Sequence, residues 1–110
     1  MNDQAAQVVP VVVVLPPEID VTNADQVYEQ LTAAFGPGVG MVVADMTGTV
    51  FCDSSGVHAI MHANDDATAR DVRMRLAISP DTSVRRVLQL IGVGKVIPVH
   101  ESLSEALATD

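Results

Sequence analysis

At 110 residues the chain has the size of one domain, and a formal net charge of −8, from 14 acidic against 6 basic side chains, repels phosphate backbones and anionic membrane surfaces. Tyr28, Phe35 and Phe51 are the only aromatics, too few and too scattered for a base-stacking platform, so nucleic acid is excluded as a partner. Cys52 is the only cysteine, which rules out an intramolecular disulfide and points to a reducing, cytoplasmic compartment.

Residues 1–7 are mostly polar or small and are expected to fray, leaving 8–110 as the folded domain. The longest apolar run, Val8 to Pro17, is about half the ~20 residues of a membrane-spanning helix and contains Pro10, Pro16 and Pro17. No basic residue precedes it, and Asp3 lies where a leader peptide would be positive, so neither membrane insertion nor export is expected.

From there short Val/Ile-rich runs alternate with helical stripes. Val11–Leu15 reads as a first strand, followed by the acidic loop Glu18-Ile19-Asp20. Val27, Leu31 and Ala34 share one face of a first helix, with Thr22 or Asn23 as its cap. Met41–Ala44 is the next strand, and Val57, Ile60, Met61 and Ala67 form a second helical stripe after the turn Asp53-Ser54-Ser55-Gly56. Met74–Ile78 is a third strand. Val84, Val87, Leu88 and Ile91 line a helix opened by Ser79-Pro80-Asp81 and closed by Gly92. Val96–Val99 is a fourth strand, and Leu103 to Ala108 a short helix capped by Ser102, with Glu105 completing a capping box. The strand runs are almost continuously apolar, the pattern of strands buried on both faces. The order predicts an α/β fold, a single domain with a mostly parallel sheet of four to five strands and crossover helices.

In such sheets ligand and partner sites gather where strands end and helices begin. Three junctions qualify: Glu18-Ile19-Asp20, Asp53-Ser54-Ser55-Gly56 and Ser79-Pro80-Asp81-Thr82-Ser83. At the second, a Ser in the first helical turn has its hydroxyl among unpaired backbone N–H groups, where a phosphoryl group is stabilised. On spacing alone the turn reads equally as an N-cap by Asp53 or Ser54, with Gly56 as a tolerated helix residue.

The stretch Asp45-Met46-Thr47-Gly48-Thr49-Val50-Phe51-Cys52-Asp53-Ser54-Ser55-Gly56-Val57 resembles the signature of STAS domains, the family of anti-sigma factor antagonists. The resemblance extends through Glu18-Ile19-Asp20, through Ser79-Pro80 with Val84 to Gly92, and through Ser102 to Leu107. It implies a STAS-like fold and a non-enzymatic switch. The first Ser of Asp-Ser-Ser-Gly would be phosphorylated by an anti-sigma factor serine kinase, the phosphorylated form would release that kinase, and a serine phosphatase would reset it. By matching position the phosphoacceptor is Ser54, and the partner-binding set is Asp20, Asp53, Ser54, Ser55 and Gly56. No cofactor and no metal are implied. The alternative that the resemblance leaves open is a stand-alone subunit docking on a membrane transporter.

Several residues depart from the family pattern. Pro17 replaces the usual Gly before Glu-Ile-Asp, Cys52 replaces a bulky aliphatic residue, and Asp71 stands where a Gly commonly ends the second helix. The stretch between Ser79-Pro80 and Val84 is two residues longer than usual, and the usual first antiparallel strand is cut short.

Other motifs carry less. His58 and His62 have the spacing of a zinc protease pair, but Ala59 holds the place of its Glu, so two partly buried helix histidines are expected. Gly92-Val93-Gly94-Lys95 is not a phosphate loop, because Gln89 and Val96 occupy positions that need Gly and Ser or Thr. Cys52 reads as a buried, inert thiol rather than a redox sensor. Arg70, Arg73, Arg75, Arg85 and Arg86 read as solvated ends of elements, with Arg85-Arg86 as a possible partner contact, and Asp65-Asp66 as helix surface. An enzyme using Ser54 or Ser55 with His58 as base lacks the Gly-x-Ser-x-Gly elbow.

Overall fold

A computed structural model of the chain describes residues 9–108. The N-terminal segment expected to fray, 1–7, lies outside them. The elements in chain order are β1 (Val9–Val14), β2 (Glu18–Ile19), α1 (Ala24–Thr32), β3 (Val39–Asp45), β4 (Phe51–Cys52), α2 (Ser54–Ala69), β5 (Arg73–Ala77), α3 (Ser83–Ile91), a 3₁₀ turn Val93–Lys95, β6 (Val99–His100) and α4 (Leu103–Leu107).

Four strands form one sheet in the order β1-β3-β5-β6, every pair parallel, with Val12 opposite Val43, Val43 opposite Arg75 and Leu76 opposite Val99. A parallel pair cannot be closed by a tight turn, so each connection carries a helix. β2 and β4 form a separate two-stranded parallel ribbon, pairing Glu18 with Phe51 and Ile19 with Cys52. Two residues are too few to show any period, and neither strand was visible in the sequence pattern. The run Val96–Val99 is mostly not a strand: the 3₁₀ turn continues through Val96, which is 52% exposed, and pairing begins only at Val99.

The main core lies on one face of the sheet. Val13, Leu15, Val42, Ala44, Met46, Met74, Leu76 and Ile78 pack there against Val27 and Leu31 of α1, Val57, Ile60, Ala63 and Ala67 of α2, and Val84 and Leu88 of α3. On the other face α4 covers Val43 and Ala77 with Ala106, Leu103 and Leu107. Burial on both faces therefore holds for β3, where Met41 to Asp45 are all buried. It fails for β1, where Val12 and Val14 are 37% and 65% exposed. The reason is length: α4 has five residues and packs on β3, β5 and β6, so among the described residues β1 is the edge strand and is left uncovered. Pro10 is placed on that same edge, where its missing N–H removes no bond from the middle of the sheet.

Helix ends follow their sequence signals with three exceptions, one being α3, which starts after Thr82 with no side-chain cap rather than at Ser79-Pro80-Asp81. Gly92 closes α3 in the left-handed conformation, and Ser102 caps α4 by accepting the Glu105 amide, whose carboxylate takes the Glu101 amide in return. Asn23 occupies the N-cap position of α1, but its side chain serves the preceding loop instead. After α2, Asp71 takes φ 59°, the left-handed conformation that a glycine adopts without strain.

Candidate functional site

The turn Asp53-Ser54-Ser55-Gly56 is held by two chain segments. Pro17 accepts the amides of Val50 and Phe51 on its carbonyl, at 2.7 and 3.2 Å, and Ile19 accepts the amide of Asp53 at 3.1 Å. The buried Thr49 hydroxyl donates to the Pro16 carbonyl at 2.9 Å. Pro17 thus costs this loop nothing by lacking an N–H, because the loop uses its carbonyl. At the end of β3, Asp45 accepts the amide and hydroxyl of Thr47 at 3.0 and 2.7 Å, turning the chain towards β4.

Asp53 is extended and its Oδ1 accepts the amides of Ser55 and Gly56, at 2.9 and 3.2 Å. The capping residue is therefore Asp53, and Ser54 is the first residue of α2 with its side chain exposed. Ser55 is half-buried and turns towards α1, lining a groove of about 480 Å³ with Val21, Ala24, Asp25, Tyr28, His58, Ala59 and His62. The two serines therefore face different surroundings. Gly56 is not merely tolerated: a Cβ there would lie 2.6 Å from Ile19 Cγ2 and 2.7 Å from Cys52 Sγ, so only a glycine lets α2 start against the β2–β4 ribbon.

Asp20 is placed beside Asp53, because the residue before each is paired, Ile19 with Cys52. Its carboxylate accepts the Thr22 hydroxyl at 2.5 Å and the Thr22 amide at 2.9 Å, and these bonds, the hydroxyl first, hold its pKa below the ordinary 3.8. Asn23 fixes the same loop, accepting the Asp20 amide and donating to the Glu18 carbonyl. The fold thus brings together all five residues singled out in the sequence.

Cys52 is buried, and desolvation first, with the Asp53 charge second, pushes its thiol up to about 11. The two histidines differ from expectation: His58 and His62 are both exposed along the α1–α2 groove rather than partly buried. Among the described residues no group of three or more His, Cys, Asp or Glu is placed to hold a metal ion.

Three residues escaped the sequence reading. Val21, Val50 and Phe51 are 75%, 59% and 48% exposed and flank the turn from both segments. Their signal was available: apolar side chains inside otherwise polar loops, with no helical or strand period to bury them. The charge pattern adds a second feature. All six Lys and Arg fall between residues 70 and 95, outside the two chain segments that build the turn. The turn thus presents an exposed hydroxyl at a helix N-terminus, with exposed apolar side chains on the segments that flank it.

The sequence matches the family model for the STAS domain over residues 3–106. It is 30% identical over 93 residues to the anti-sigma-F factor antagonist RsfA of Mycobacterium tuberculosis, covering 83% of this chain and 72% of RsfA. The anti-sigma factor antagonist SpoIIAA of Bacillus has a similar structure in its unphosphorylated form, with TM-score 0.70 and 26% identity over 89% of this chain and 84% of that one. Its phosphorylated form gives TM-score 0.63 and 25% identity, over 89% and 87%. A sulfate transporter family protein of Wolinella succinogenes reaches TM-score 0.72 at 15% identity, over 97% and 93%, a likeness of fold alone.

Proposed function

The chain belongs to the STAS domain family, and on that premise we propose that it is an anti-sigma factor antagonist switched by phosphorylation of Ser54. In the unmodified state the turn, with Asp20, Asp53, Ser54, Ser55 and Gly56 at its centre, binds an anti-sigma factor that is also a serine kinase, and so frees the sigma factor. Transfer of a phosphoryl group to Ser54 ends that binding, and a serine phosphatase restores it. The work is done by binding rather than by catalysis on this chain, in the cytoplasm.

The observation that carries this reading is the exposure of Ser54 at the first position of α2, with its neighbour Asp53 occupied as the cap. The hydroxyl is free to enter a kinase site without unravelling the helix. Exposed Val21, Val50 and Phe51 on the flanking segments supply contact area, and similarity to RsfA and SpoIIAA supports the partner class. No observation favours a transporter-subunit role in the same way. No helix among the described residues is long and apolar enough to cross a membrane.

A phosphate at the centre of such an interface is desolvated on association and lies beside Asp53 and Asp20. Mispairing a buried charge at an interface costs about 2–5 kcal/mol, roughly 30- to several-thousand-fold in affinity. Ser54→Asp should weaken kinase binding by that amount, while Ser54→Ala binds as the unmodified protein does and resists release. Calorimetry against the cognate kinase with nucleotide present measures both, and mass spectrometry locates the phosphate. Phosphate on Ser55 in a Ser54→Ala protein, or tight binding by Ser54→Asp, would overturn the reading.

A further inference from the structure

In a parallel sheet, successive residues of a central strand turn their amide and carbonyl to opposite neighbours. The Leu76 amide of β5 donates to the Pro98 carbonyl at 2.9 Å, and the Ile78 amide just past the strand to the His100 carbonyl at 2.8 Å. Even-numbered residues therefore face β6. Odd-numbered ones face β3, as the Ala77 carbonyl shows by accepting the Met46 amide at 2.8 Å. β6 pairs only with Leu76 and Ala77. Met74 thus directs its amide and carbonyl to the β6 side and meets no partner there among the described residues. Pro98 explains the break. The next rung would run from an amide at position 98 to the Met74 carbonyl, and proline has none.

Met74 stands in the wall of a cavity of about 590 Å³, although its side chain is packed in the core. Asn64 and Thr68 of α2, Val96 and Pro98 before β6, and Arg73 and Arg75 complete that wall. Alternation sorts the side chains of β5. Val72 and Met74 turn to the core, and Arg75 turns to α4, where its Nη1 donates to the Ala106 carbonyl at 2.9 Å. Arg73 shares the face of Arg75, is exposed, and has no ion pair among the described residues. Arg70 and Lys95 are next in the chain to lining residues, against one lining carboxylate, Asp71.

We propose that the N-terminal half of β5 docks a short, extended, acidic segment of a partner protein, added as a strand alongside Met74. Strand addition gives the Met74 amide and carbonyl the partners that Pro98 denies them. The added strand alternates as β5 does, so its acidic side chains lie beside Arg73 and Arg75 and its apolar ones beside Val72 and Met74. The motif recognised is therefore an acidic–apolar alternation. About three residues, at ~3.3 Å each, cover the edge before β6 closes it at Val99. The site lies roughly 20 Å along α2 from Ser54, at 1.5 Å per residue to Thr68. It is separate from the switch, and so is its test.

The probe is the blocked peptide acetyl-Asp-Ile-Glu-Ile-Asp-amide, titrated into the full chain at low salt and followed by backbone amide NMR. Saturable shifts are expected at Arg73, Met74, Arg75 and Val96, with a Kd on the order of 1 mM for so short a peptide. Exchange of the Met74 amide should slow on binding. The lysine analogue acetyl-Lys-Ile-Lys-Ile-Lys-amide should not bind, and neither should the acidic peptide methylated on every backbone nitrogen. Both controls use the unaltered chain. Arg73→Glu, at an exposed position, should weaken binding at least about threefold. Absence of saturable shifts up to about 10 mM peptide, shifts centred on the Ser54 turn, or unchanged affinity in Arg73→Glu would overturn the proposal. So would equal binding by either control peptide. A Met74 amide already protected in the peptide-free chain would overturn it too, in favour of a second copy or the chain's own termini at this edge.

Discussion

A Cβ added to Gly56 would stand 2.6 Å from Cγ2 of Ile19, a separation that side chains do not reach. The glycine is there for the approach of α2 to the β2–β4 ribbon and not for an unusual φ. Gly56→Ala gains the helix preference of Ala, up to about 1 kcal/mol, and meets overpacking of about 1–3 kcal/mol. A net loss is expected, with melting lowered by about 4–8 °C for each kcal/mol in a domain of this size. Thermal and urea unfolding measure it, and an Ala variant as stable as the parent would show that the ribbon yields.

Asp53 serves both the helix and the charge of the turn, and two substitutions separate these roles. Asp53→Ala removes the acceptor for the Ser55 and Gly56 amides and should cost about 1 kcal/mol. Asp53→Asn keeps an oxygen in place and should be nearly as stable as the parent. Partner affinity that changes in the Asn variant then reports the charge and not the cap.

Phosphorylation of Ser54 should leave the fold almost unchanged. The N-terminus of α2 stabilises an anion by roughly 0.3–1 kcal/mol, which offsets repulsion from Asp53 of similar size. The phosphorylated protein should keep its circular dichroism spectrum and melt within about 8 °C of the unmodified one. A larger shift would mean that the switch acts by remodelling the domain.

Cys52 should be slow to react. A thiol pushed from 9.0 to about 11 has about a hundredfold less thiolate at neutral pH than an ordinary one. Alkylation by iodoacetamide should be slower by at least that factor in the folded protein and ordinary in urea. The rate should climb about tenfold per pH unit until the pH nears 11, because the thiolate alone attacks.

Asp71→Gly should stabilise the protein. Asp71 ends α2 with φ 59°, and a residue with a Cβ is strained there by about 1 kcal/mol. The gain should be up to that amount, reduced by the extra freedom that glycine brings to the unfolded chain, and chemical denaturation reads it.

The strand–helix alternation, the parallel sheet and the turn at Ser54 were legible because long apolar runs and turn chemistry state them directly. What escaped was short or relational. β2 and β4 have two residues each and exist only because Ile19 and Cys52 find one another across the chain. The demand for glycine at position 56 is made by Ile19 and Cys52, which no local pattern joins to it. Val96 belongs to an apolar run, yet the turn opened at Gly92 carries past it before pairing begins. Val12 and Val14 look like core and are exposed because the helix on their side is too short to reach them. Asn23 has a capping residue's identity and place, but the Glu18–Asp20 loop takes its side chain first.

The spatial order β1-β3-β5-β6 is also the order of synthesis. Each strand that leaves the ribosome meets its predecessor as a free edge, and none has to be threaded between two that are already paired. Assembly can therefore keep pace with elongation, which suits domains that begin folding from the N-terminus. The ribbon obeys the same sequence: β4 ends at Cys52, two residues before α2 begins. Both strands of the platform beneath Ser54 thus precede Ser54 in the chain.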